Sequence, residues 1–237
     1  MGIDETPNFL ACLMDMDSES RNDPYRIWIA AVIFLHIIYD NEEAKVMATS
    51  VKFGDEEEGE EVVTVIQTMA ANLITCLEHN YDPRISLAYL MVLCIWLYED
   101  TVAVDDFLEE GAIVQSLVAA VTKSTSSNSL IQGLCTFLLG ILYEFSTTKS
   151  PVPRATLHTI LVGRLGRDQY VNKLTRLREN SIVRDFEVTE QTHTGKRGLP
   201  DIYFDHLFID FLKDNYNRIF RTIEKDPGTK THYKLGK

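Results

Sequence analysis

Proline and glycine are scarce, with 7 and 12 among 237 residues, which excludes collagen-like and low-complexity chains that bury no core. Cysteine is scarcer still. Cys12, Cys76, Cys94 and Cys135 stand far apart, and none forms the C-x-x-C pair that brackets a metal or redox centre. So few cysteines in so long a chain argue against a disulfide framework, and no N-x-S/T sequon occurs. The cytosol is therefore the expected compartment, and the four cysteines read as buried free thiols. The longest apolar runs, Ile27 to Tyr39 and Leu87 to Tyr98, hold 13 and 12 residues, against about 20 for a membrane span. They are expected as core helices, His36 included. Asp4 and Glu5 ahead of Phe9 are unlike a signal peptide, which needs a positive charge before its apolar run. Positive charge is in deficit over the chain as a whole: 23 Lys and Arg against 35 Asp and Glu leave a net charge of -12, which argues against nonspecific nucleic-acid binding through phosphate neutralisation.

Catalytic signatures are missing as well. His36, His79, His158, His193, His206 and His232 have no H-E-x-x-H spacing, so no metal site is expected. Gly195-Lys196-Arg197 departs from a phosphate loop at Glu190 and Arg197, and Gly163-Arg164-Leu165-Gly166 lacks the third glycine of a dinucleotide fingerprint. G-x-S-x-G does not occur. Asp105-Asp106 and Glu109-Glu110 are read as flanking a helix boundary rather than as a glycosidase dyad. The chain is expected to be no enzyme and to carry no cofactor.

What is present is helical periodicity. Hydrophobic residues make up 45% of the chain and charged residues 24%, and the apolar positions recur at three- and four-residue spacing, so an all-α fold is expected. Three long helices align on an aliphatic-Tyr-acid triplet: Ile38-Tyr39-Asp40, Leu97-Tyr98-Glu99 and Leu142-Tyr143-Glu144. Positions one, two, four, five and six before the tyrosine are apolar in all three copies. Their starts match too. Asp23-Pro24 and Asp82-Pro83 lie sixteen and fifteen residues before their tyrosines, where Asp can cap free N–H groups and Pro costs nothing. The third copy uses Ser127-Asn128.

The tyrosines stand 59 and 45 residues apart, and about 45 is the armadillo/HEAT period of two or three helices. The surplus in the first interval coincides with Gly54 to Glu61, where six acids read as a solvated loop. Partner helices are expected near Val62 to Leu77 and Ala112 to Val121, with a second loop at Lys123 to Ser129. The expected architecture is an armadillo/HEAT-like α-solenoid over 1–148 with a C-terminal helical cap over 149–237.

Charge changes sign along the chain. Residues 1–148 carry 6 bases and 24 acids, 149–184 carry 8 bases and 2 acids, and 185–237 are neutral. The basic segment either folds back on the acidic repeats or meets an acidic partner. Its cations Arg154, Arg164, Arg167, Lys173, Arg176, Arg178 and Arg184 are the candidate partner-binding residues. The segment follows a break at Ser150-Pro151-Val152-Pro153, and a helix from Arg167 to Arg178 is expected to bury Tyr170, Val171, Leu174 and Leu177. A last helix of about 24 residues is expected to open at Pro200-Asp201 and end at Asp226-Pro227-Gly228. Its Phe204, Phe208, Phe211 and Phe220 read as core.

Five strings carry a family likeness: TFLLGILYEFS from Thr136, SPVPRATLHTIL from Ser150, RLGRDQYVNKLTRLRE from Arg164, VRDFEV from Val183, and GLPDIYFDHLFIDFLKDNYNRIFRTIEKDPG from Gly198. Over Thr136 to Gly228 the sequence resembles the end of the globular head of the general vesicular transport factor family, the coiled-coil tethers of ER-to-Golgi traffic. The resemblance implies an armadillo-like head on a parallel homodimeric rod, peripheral on the cytosolic face of Golgi and ER-derived vesicle membranes. It also implies contact with a Rab GTPase, SNAREs, and golgins or other tethering complexes. No a/d heptads follow Gly228, so the sequence reads as the last part of such a head, ahead of the rod. An armadillo-type scaffold of another pathway, cytoskeletal or import, is the alternative. Such a scaffold binds extended peptides on an Asn and Trp ladder, for which Trp28 and Trp96 are unevenly placed.

Overall fold

The structure is a computed structural model that describes residues 9–16, 23–54, 62–123, 128–186 and 204–228. It forms two compact units, Met1–Trp96 and Leu97–Lys237. Within the first lie α1 (Phe9–Met14), α2 (Pro24–Ile38), α3 (Glu42–Ser50), the two-residue strands β1 (Lys52–Phe53) and β2 (Val63–Thr64), α4 (Val65–His79) and α5 (Pro83–Leu97). The second holds α6 (Thr101–Leu108), α7 (Ala112–Thr122), α8 (Ser129–Phe145), α9 (Arg154–Ile160) with a π-helical turn at Leu161–Leu165, α10 (Arg167–Glu179), α11 (Ser181–Arg184) and α12 (His206–Thr222).

Each unit is organised on a helix that is apolar all round. In α5 every residue from Ile85 to Leu97 is buried, and in α8 every residue from Leu130 to Phe145. A helix without a polar face belongs at the centre of its unit. Around α8, α10 buries Tyr170, Leu174 and Leu177, while α12 buries Phe208, Phe211, Leu212 and Ile219. Close approach is possible because Gly140 has no side chain: a Cβ there would collide with the Tyr170 hydroxyl and the Ile219 side chain. Over that gap the Tyr170 hydroxyl donates to the Ile219 carbonyl at 2.7 Å, joining α10 to α12.

In the first unit the Tyr89 hydroxyl donates to the Leu13 carbonyl at 2.9 Å and accepts from Asn72 Nδ2, fastening α1 to α4 and α5. Thr64 and Gln67 form a reciprocal capping box that starts α4 directly from β2. Lys52 pairs with Thr64 and Phe53 with Val63 in an antiparallel ladder. Gly54 opens the acidic stretch, of which residues 55–61 lie outside the described residues. Ser127 and most of the Lys123 to Ser129 loop lie outside them too.

Several expectations are corrected. The last helix starts at His206, capped by the Asp205 side chain on Leu207 N–H, because Asp205 is extended and Phe204 is not helical; Pro200 and Asp201 lie outside the described residues. Asp23 precedes Pro24 of α2 but makes no side-chain cap bond, whereas Asp82 and Asn128 accept from Arg84 and Ile131 N–H. His36 is exposed, and so are Ile29, Ile33 and Ile37 on the same helix. The 3.6-residue period places these positions on one outward stripe of a run whose other face is core. Cys12 is only half-buried, with Arg26 Nε 3.4 Å from its sulfur, while Cys76, Cys94 and Cys135 are enclosed. Asp105-Asp106 and Glu109-Glu110 do flank the break between α6 and α7, but Asp105 and Asp106 stand at the C-terminal, electronegative end of α6 rather than at a helix N-terminus.

Candidate functional site

The three tyrosine triplets do not end alike, and the difference builds the charged centre of the second unit. Asp40 and Glu99 have φ of 49° and 59°, left-handed residues that turn the chain. The next residues, Asn41 and Asp100, cap α3 and α6 by accepting from Ala44 and Ala103 N–H. In the third copy the following residue is Phe145, which buries its ring and prolongs α8. Glu144 therefore stays helical and faces inward, its side chain 2% exposed.

That carboxylate gathers four donors and cations. Lys225 Nζ lies 2.6 and 2.7 Å from its oxygens, Arg218 Nε 3.1 Å, the Thr222 hydroxyl 2.5 Å and Arg154 Nη2 3.8 Å. Burial alone would raise the Glu144 carboxyl, but the Lys225, Thr222 and Arg218 bonds outweigh it and hold the group below its ordinary value. Arg218 also reaches the second triplet, donating to Glu99 at 2.5 Å and to the Tyr98 hydroxyl at 3.2 Å, with its guanidinium 4.8 Å from the Phe145 ring centroid. One arginine of α12 thus ties two triplets together.

The seven candidate cations meet different fates. Arg154 is 4% exposed, its guanidinium 4.8 Å from the Tyr143 ring centroid and paired with Glu144. Lys173 is half-buried and donates to Gln132 Oε1 at 2.5 Å; burial first, then the nearby Arg176 charge, lowers its pKa. Arg184 is exposed and paired with Asp185 at 2.7 Å. Arg164, on the π turn, donates to Gln115 Oε1 at 3.2 Å. Arg178 lies 5.0 Å from the Tyr216 ring centroid, and Arg164, Arg167, Arg176 and Arg178 are all exposed. The segment folds back through Arg154 and shows solvent the charges carried by the π turn and α10.

Gly166 makes that display possible. The π turn closes with Gly166 N–H donating to the Leu161 carbonyl at 2.9 Å. The chain then leaves at φ 82°, ψ 144° to start α10 in a new direction. This conformation is open to glycine almost alone.

Burial pushes the Cys76 and Cys135 thiols up to about 12, the opposite of an activated nucleophile. Among the described residues no group of His, Cys, Asp and Glu is placed to hold a metal ion, and no helix is long and apolar enough to cross a membrane. Gly195-Lys196-Arg197, His193 and His232 lie outside those residues. The charge pattern did not single out Glu144, Arg218 or Lys225. The one available signal was Phe145, apolar where the other triplets are followed by Asn41 and Asp100.

Comparison with known proteins gives a consistent set of relatives. The family model described as Uso1 / p115 like vesicle tethering protein, head region, matches residues 3–223. Intracellular protein transport protein USO1 of Saccharomyces cerevisiae is 29% identical over 228 residues, 93% of this chain and 13% of that protein. General vesicular transport factor p115 of Homo sapiens is 26% identical over 201 residues, 84% of this chain and 20% of that protein. Two crystal structures, of Uso1-1 and Uso1-2, superpose with TM-scores of 0.82 and 0.79 at 27% and 28% identity. The chain covers 34% and 33% of those two structures, which themselves match 94% and 93% of it. The likeness fixes the fold class as the expected all-α, armadillo/HEAT-like one, and the matched proteins are transport factors rather than enzymes.

Proposed function

The chain belongs to the Uso1/p115-like vesicle tethering family, within its head region, and from that premise we propose that it is a protein-contact segment of a tether that docks transport vesicles before membrane fusion. The observation that carries this reading is the family match across nearly the whole chain, joined to a basic segment set in an acidic molecule. Its partners are a Rab GTPase, SNAREs, and golgins or other tethering complexes, met at the cytosolic face of Golgi and ER-derived membranes. The contact residues are the outward cations Arg164, Arg167, Arg176 and Arg178, joined by Lys173 and Arg184. Arg154, held under Tyr143, supports them from within. Exposed arginines steer an acidic partner through long-range attraction and forked hydrogen bonds, and so act mostly on association rate and salt dependence.

The test is surface plasmon resonance with the immobilised head against a purified GTP-loaded Rab, SNARE and companion tethers over a salt series. Wild type should retain at least one, and Arg164→Glu/Arg167→Glu/Arg176→Glu should weaken binding and flatten its salt dependence. A folded head that retains none refutes the reading; a triple variant that binds normally removes the basic segment from it. The alternative, a scaffold with an Asn and Trp ladder, has Trp96 against it, since that side chain is wholly enclosed.

A further inference from the structure

Where α10, α11 and α12 meet, the second unit leaves a cavity of about 150 Å³. Leu177, Val183 and Leu212 line it with aliphatic carbon, each buried by its own helix. Arg178 and Lys213 add exposed cations from two different helices, and no carboxylate lines it. Tyr216 completes the wall. It is 5% exposed, and the Arg178 guanidinium lies 5.0 Å from its ring centroid.

These features together describe the chemistry of one occupant. A cavity of about 150 Å³ with aliphatic walls accepts a benzene-sized ring. Cations at its rim favour carboxylates on either side of that ring, and they continue the positive charge of residues 149–184. We propose that this cavity seats a single aromatic side chain from an acidic peptide segment of a partner protein, with the flanking carboxylates on Arg178 and Lys213. The proposal rests on the reading of the basic segment as protein contact and names the feature a partner must present.

The test uses fluorescence anisotropy of the whole chain with a labelled peptide, acetyl-Glu-Asp-Phe-Asp-Glu-amide, beside its alanine counterpart. The phenylalanine peptide should bind about tenfold more tightly, the effect of burying one ring. Asn217→Trp, at an exposed position on the cavity wall, should erase that tenfold difference and leave the weak binding of the alanine peptide. Arg178→Glu with Lys213→Glu should weaken both peptides. Equal binding of the two peptides to wild type overturns the cavity proposal while the basic segment keeps its role. If neither peptide binds better than a neutral one, the cavity proposal fails, and the partner titration with the triple arginine variant decides the basic segment separately. Binding to phosphatidylserine vesicles that Asn217→Trp abolishes would make the cavity a lipid site and overturn the proposal as well.

Discussion

Replacing Glu144 with glutamine removes the charge on which Arg218, Lys225 and Arg154 converge while keeping the side chain's shape. Breaking a buried ion pair from one side costs about 3–5 kcal/mol, because the partner's charge is left unpaired. The Glu144 side chain is 2% exposed, but those of Arg218 and Lys225 keep 25% and 35%. Water therefore recovers part of their solvation and brings the expected loss to about 2–3 kcal/mol. At about 2–4 °C per kcal/mol for a chain of this size, the melting temperature should fall by about 4–12 °C at pH 7. The pH dependence supplies an independent sign. Because the folded-state carboxyl is held below its ordinary value of 4.5, it lends stability above that value, and the contribution is lost as pH falls through the lower folded value. Circular-dichroism melts of wild type and Glu144→Gln should thus converge as pH drops below 4.5. A difference of under about 1 °C at pH 7, or a gap that persists unchanged at pH 3, would refute the argument that this carboxylate holds α12 to α8.

Gly140→Ala should destabilise the second unit by about 1–3 kcal/mol despite alanine's better helix propensity, since its methyl meets Tyr170 and Ile219. Gly163→Ala, where a Cβ meets nothing within 4 Å, is the control, and urea melts compare the two. Gly166→Ala should cost a further about 1–3 kcal/mol by forcing alanine to φ 82°, read in the same melts. Tyr89→Phe should lose about 1 kcal/mol with the bond to Leu13 and speed amide exchange in α1 more than in α5. Iodoacetamide should label Cys12 of the native protein well before Cys76 and Cys135, whose thiols are held near 12.

Repetition made much of this fold readable in the sequence. The tyrosine register located α2, α5 and α8, and apolar spacing gave α7 and α10 to within a residue or two. What escaped was decided by tertiary neighbours. An acid after the tyrosine can turn the chain, as Asp40 and Glu99 do, or remain helical and collect cations, as Glu144 does. The choice depends on a residue two positions past the tyrosine and on Arg218, more than seventy residues later. Counting charge likewise groups Arg154 with Arg176, yet one is locked over Tyr143 and the other faces water. The cavity beside Tyr216 arises where three helices fail to fill space, and no single stretch of sequence encodes it.

The short ladder of Lys52–Phe53 with Val63–Thr64 has a practical use. It pins both ends of the acidic stretch at neighbouring points, and the capping box on Thr64 anchors the downstream end in α4. Extending the stretch by twenty residues would add only about 1 kcal/mol of closure entropy, since that cost grows with the logarithm of length. An epitope or fluorescent reporter spliced between Gly54 and Val62 would therefore give this molecule a handle at a position remote in sequence from the arginines proposed to meet its partners.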